Sequence, residues 1–154
     1  MIENNNDFRY LDMELMEKMC HKLAVAIFDT REDPIANFHE HTDLLDSALN
    51  LPKHDLGYPT LIDKAAILYY VLNKNHPFKN GNKRIAATSL VVFLFINDKW
   101  LLVKNEELYE KTLYIAKSDR TEKDKIVLEV KQWIKKSLIP LKEIIDELKN
   151  EKRN

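Results

Sequence analysis

Two glycines, Gly57 and Gly81, are all that 154 residues contain. Ordinary usage would place about eleven in a chain of this length. A G-x-G-x-x-G dinucleotide fingerprint needs three glycines, and a glycine-rich phosphate loop needs several close together. Any nucleotide site here must therefore be built from other groups. The same scarcity argues against an all-β sandwich or barrel, whose tight turns consume glycine. The length suits one domain, and 45% hydrophobic residues supply its core. A net charge of -1 sets up no global field toward nucleic acid or an anionic membrane. The single Cys20 forms no internal disulfide and fits a reducing cytoplasm. The start lacks the basic and apolar pattern of a signal peptide, and the longest apolar run, residues 90–96, is too short to span a bilayer. A cytoplasmic protein is expected.

Helical periodicity runs through nearly the whole chain. Leu11, Leu15, Met19, Leu23 and Ile27 repeat at four-residue spacing, which predicts a helix over 11–28. Residues 29–40 are polar, contain Pro34 and read as a loop. Thr42 caps a short helix to Leu49. Leu51 to Pro59 holds two prolines and Gly57 and is irregular. Thr60 with Asp63 forms a capping-box variant opening a helix that ends near Lys74. Residues 82–97 are apolar on most sides, which predicts the central buried helix. Residues 99–103 read as extended or turn-like. Asn105 caps a helix to Lys117, and Thr121 with Asp124 caps another to Leu138. Pro140 breaks it, and Leu141 to Lys149 makes a last amphipathic helix before a frayed tail. The expectation is one all-α domain over 1–154, with six to seven helices. Its core covers 8–138, and the helix at 140–150 is an appendage.

The chemistry concentrates in Asn75-His76-Pro77-Phe78-Lys79-Asn80-Gly81-Asn82-Lys83-Arg84, a polar loop feeding the apolar helix. A helix N-terminus presents unpaired N–H groups and the positive end of its dipole. Two cations in a first turn weaken a helix unless an anion belongs there. Lys83 and Arg84 thus point to a phosphate cradle, with Asn82 as a further donor and Gly81 allowing close approach or positive φ. His76 offers an imidazole, the usual general base for a hydroxyl nucleophile. Pro77 stiffens the backbone beside it, and Phe78 is an apolar anchor. A lone histidine or Lys-Arg pair is ordinarily surface chemistry; all of these within nine positions at a helix start are not.

This segment resembles the Fic/Doc family motif H-P-F-x-[DE/N]-G-N-[GK]-R, and its N-K-R form looks like the Doc (death-on-curing) branch. Residues 43–49, 64–68 and Phe93-Leu94 with Asn97 support the likeness, which covers about 8–135. The resemblance implies an all-α Fic/Doc fold with a short irregular or hairpin flap. It implies that His76 deprotonates a hydroxyl of a protein substrate. Gly81, Asn82, Lys83 and Arg84 would hold the phosphates of ATP, with Lys83 and Arg84 also catalytic. Asn80 would stand at the Mg2+ position. Leu51, Pro52, Lys53, His54, Asp55, Leu56, Gly57 and Tyr58 would form the flap that positions the target. Doc-type proteins are protein kinases acting on translation factors such as elongation factor Tu, and each pairs with a small antitoxin.

Three departures bear on the reaction. Lys83 replaces the second glycine of the Fic motif, and a long cation there obstructs the pose for AMP transfer and favours presentation of the γ-phosphate. Ala87 falls where the longer Fic motif ends in arginine. Asn80 replaces the usual acidic residue, and an amide oxygen is a weaker ligand for a hard cation. Kinase chemistry is the expectation. The alternatives are AMP transfer and a weakened nucleotide- or partner-binding module. The inhibitory pattern [ST]-x-x-x-E-[GN] is approached only by Ser118 to Lys123, so restraint is expected from a separate antitoxin. His39, His41, Asp43 and His54 have no strong metal spacing and read as incidental. Lys131, Lys135, Lys136 and Lys142 read as solvated, and Trp100 and Trp133 as core.

Overall fold

The computed structural model describes residues 7–26, 42–77 and 81–153, with the backbone alone for residues 20, 21 and 23–26. Among these residues the chain forms α1 (Met13–Ala26), α2 (Thr42–Asn50), α3 (Leu61–Asn75), α4 (Asn82–Ile96), β1 (Lys99–Leu101), α5 (Asn105–Lys117), α6 (Lys123–Ser137), β2 (Leu138–Pro140) and α7 (Leu141–Glu151). The predicted loop over 29–40 lies outside the described residues. The all-α expectation holds. One small antiparallel sheet accompanies it, with Lys99 opposite Pro140 and Leu101 opposite Leu138.

The helix at the centre is α3. Every residue from Asp63 to Lys74 is buried, and α2, α4, α5 and α6 all pack on it. This corrects the expectation that 82–97 would be central. In α4 the buried positions are Ile85, Ala86, Ser89, Leu90, Phe93 and Leu94, which is one face, and Phe95 is exposed. The physical reason is that α3 buries its polar residues with partners inside the fold. Periodicity counts such residues as solvated.

Local chemistry sets the ends of α3. The Thr60 Oγ1 accepts from the Asp63 N–H at 3.1 Å, and the Asp63 carboxylate accepts from the Thr60 N–H at 3.1 Å, a complete capping box. Lys131 from α6 adds an ion pair to Asp63 at 2.5 Å, so it is no solvated lysine. Burial raises the Asp63 pKa, but the bonds from Lys131 and Thr60 outweigh it and hold it below 3.8. A lowered carboxyl pKa stabilises the fold above the unfolded value of 3.8, and that contribution is lost as pH falls through the folded value. Lys131→Ala should therefore lose less melting temperature than the parent between about pH 5 and about pH 3, as read by circular dichroism. Equal losses would show that the pair does not carry the shift.

Other caps differ from expectation. Lys104 precedes α5 with no side-chain cap, leaving Asn105 as the first helical residue. Asp119 rather than Thr121 accepts the capping bond, at a 3-10 turn over Arg120–Glu122, and α6 begins only at Lys123. Ser118 to Glu122 is thus a junction between α5 and α6, with Lys123 already in α6. Trp100 and Trp133 are half-buried, and the Trp133 Nε1 donates to Glu107 at 2.7 Å.

Candidate functional site

His76 sits at the C-terminal end of α3, and Gly81 to Arg84 open α4. The two antiparallel helices therefore bring the described parts of the motif to one end of the fold. His76 is exposed and left-handed, with φ 46 and ψ 54. Pro77 disfavours α-helical backbone at the residue before it, which explains why α3 stops at Asn75. Pro77 itself is buried. A side-chain-bearing residue in this conformation costs about 1 kcal/mol or more and persists where its surroundings over-determine it, commonly at functional sites.

Gly81 is also left-handed, with φ 71, and its carbonyl accepts the first bond of α4 from the Ile85 N–H at 2.9 Å. Only glycine adopts this conformation without steric cost. The first turn of α4 carries no acidic residue and no side-chain cap from Gly81. Asn82 is half-buried, and Lys83 and Arg84 are exposed. The dipole, the backbone N–H groups and two cations thus face the same end as the imidazole, an arrangement suited to phosphate beside a base. Phe78 and Asn80 lie outside the described residues, so the anchor and the metal position are not placed. Among the described residues no group of three or more His, Cys, Asp or Glu could hold a metal ion. His39 and His41 lie outside them as well.

The segment from Leu51 to Tyr58 is not brought to His76. It forms a 3-10 turn over Leu51–Lys53 and a turn closed by the Gly57 and Tyr58 N–H groups on the His54 carbonyl. It packs at the opposite end of α3. The Lys64 Nζ donates to the Pro52 carbonyl at 2.8 Å and to Asp55 at 2.6 Å. Twelve residue steps lead from Lys64 to His76, which is about 18 Å along the axis. The segment expected as a target-positioning flap, 51–58, thus packs on the first turns of α3, that distance along the helix from His76. A cleft of about 500 Å³ also opens at this far end, lined by Phe8, Arg9, Leu61, Asn97 and Lys99 among others, and holds none of the motif residues.

Sequence reasoning passed over Lys64. It is fully buried, beneath the rings of Phe8 at 5.3 Å and Tyr10 at 5.5 Å. Burial works against its charge, yet Asp55 and Tyr10 more than offset this and raise its pKa. The available signal was its position, one lysine ahead of nine residues that are almost all apolar.

An exposed histidine at the end of α3 and a cationic start of α4 thus stand at one end of the fold. The family model described as "Fic/DOC family" matches residues 6–94, and the chain belongs to that family. "Toxin Doc" of Mycolicibacterium smegmatis (strain ATCC 700084 / mc(2)155) is 43% identical over 58 residues, 35% of this chain and 45% of that protein. The chain thus spans less than half the length of that curated relative. No solved structure matches the chain. No helix among the described residues is long and apolar enough to cross a membrane.

Proposed function

We propose that this protein is a Doc-type toxin that transfers the γ-phosphate of ATP to a Ser or Thr hydroxyl of a cytoplasmic target, with a translation factor such as elongation factor Tu as the expected class. The observation that carries the reading is the pairing of left-handed His76 with the cationic start of α4 at one end of the hairpin. His76 takes the hydroxyl proton as the oxygen attacks the γ-phosphorus. The bond from that phosphorus to the β–γ bridging oxygen breaks, and ADP leaves. The N–H groups at the start of α4, with Gly81, Asn82, Lys83 and Arg84, hold the phosphates and offset the developing charge. The donors fit a triphosphate. Asn80 is the motif's only metal-ligand position, so Mg2+ would be carried largely by the phosphates themselves. A small antitoxin is the expected partner and restraint.

The exposed Lys83 supports γ- over α-phosphate chemistry, because it occupies the position where AMP transfer leaves space. The test is a bacterial lysate incubated with the protein and ATP labelled at the γ or the α phosphate. Label on protein from the γ position alone is expected. Label from the α position alone would establish AMP transfer. No label from either would leave a binding module, and raised labelling by Asn80→Asp would then identify the metal position as the limit.

A further inference from the structure

We propose that Lys74 and Arg120 form a reciprocal clamp that positions His76. The inference rests on the reading of His76 as the general base. The last carbonyls of any helix lack partners within it and are met by side chains, water or a cap. At this end of the fold, two helix C-termini meet those carbonyls with each other's cations. Lys74, in the last turn of α3, is buried, and its Nζ donates to the carbonyls of Ala116 at 3.3 Å and of Ser118 at the end of α5. In return the Arg120 Nη2 donates to the Lys74 carbonyl at 2.6 Å. Arg120 is held in its turn by Asp119, whose carboxylate accepts from the Thr121 N–H at 2.8 Å and from the Thr121 hydroxyl at 2.7 Å. The bonds run both ways, so α3 cannot slide against the α5–α6 junction without losing both.

The arrangement carries a cost that a simple cap would not. Burial first, and then the neighbouring Arg120, push the Lys74 pKa down, against the opposing pull of Asp119. Two cations side by side are a poor design for stability alone. The histidine two residues after Lys74 explains them, because its surroundings must enforce its left-handed conformation. A general base works only within about 2.6–3.2 Å of its proton. A misplacement of about 1 Å can cost about 100-fold in rate. Lys74 and Arg120 are thus positioning residues, and neither needs to touch substrate.

The test compares Arg120→Ala, Arg120→Lys and His76→Ala in the full chain, with γ-labelled ATP and lysate protein as acceptor. Arg120→Ala should lower the transfer rate at saturating ATP about 10- to 100-fold while the KM for ATP changes by less than about twofold. Arg120→Lys, which still offers a donor to the Lys74 carbonyl, should recover part of the rate. Amide hydrogen exchange over 72–76 should quicken at least about tenfold in Arg120→Ala, with 62–66 unchanged. A parent-like rate, a rise in KM alone, or no gain from lysine would overturn the clamp. Unchanged exchange at 72–76 would do so without any activity measurement. Full activity in His76→Ala would instead overturn the general-base reading, and exchange would still decide whether the clamp exists.

Discussion

Replacing His76 with glycine should abolish transfer while leaving the melting temperature unchanged or slightly raised. The two effects have separate origins. Loss of a positioned general base costs about 100- to 10,000-fold. The left-handed backbone at φ 46 costs any residue with a Cβ about 1–2 kcal/mol, and glycine adopts it freely. Against that relief stands the greater unfolded-state entropy of glycine, about 0.5–1 kcal/mol. The net change lies between about zero and about 1.5 kcal/mol in favour of the variant. His76 is exposed, so no packing is lost. Label transfer from ATP and thermal melting by circular dichroism give the two readings. Lost activity with a lowered melting temperature would make His76 a structural residue. Retained activity would remove it from the chemistry. His76→Ala keeps the backbone cost and removes the base, so it should lose activity with little change in stability.

The candidate site was legible in the sequence because its elements are consecutive. Pro77 stops α3, Gly81 starts α4, and the intervening histidine and following cations need no tertiary information to be noticed together. The capping box at Thr60 and Asp63 is local in the same way. What was not legible depends on how far apart helices carry things. Leu51 to Tyr58 precede the motif by only some twenty residues, yet most of those residues form a rigid helix, so the segment packs at the other end of it from His76. The pairing of β1 with β2 joins three-residue strands 39 positions apart, too short to show any alternation. Hydrophobicity alone favoured α4 as the centre. It undervalued α3, where Lys64, Asn73 and Lys74 are buried because Pro52, Asp55, Tyr69, Ala116 and Ser118 supply their partners.

Lys64 is where a single substitution should cost the most stability. Its side chain is wholly buried, and it ties the exposed 54–57 turn and the aromatic pair Phe8 and Tyr10 to the first turns of α3. Lys64→Ala removes a long packed stem and leaves the Pro52 carbonyl without its donor. Together these should cost about 2–4 kcal/mol. In a domain of this size that is a fall of roughly 5–15 °C in melting temperature. The partner variant separates the contributions. Asp55 is 79% exposed, so in Asp55→Ala water can take the carboxylate's place beside the Lys64 ammonium, which keeps its bond to the Pro52 carbonyl, and the change should cost about 1 kcal/mol or less. Lys64→Met keeps the stem and loses only the donor, so it should fall between the two, at about 1–3 kcal/mol. Thermal melts of the three variants read this order directly. If Lys64→Met matches the parent, the buried ammonium contributes nothing beyond its stem. If Asp55→Ala equals Lys64→Ala, the ion pair rather than the burial holds this end of α3. Neither result would touch the motif about 18 Å away, where transfer activity should survive all three changes below their melting temperatures.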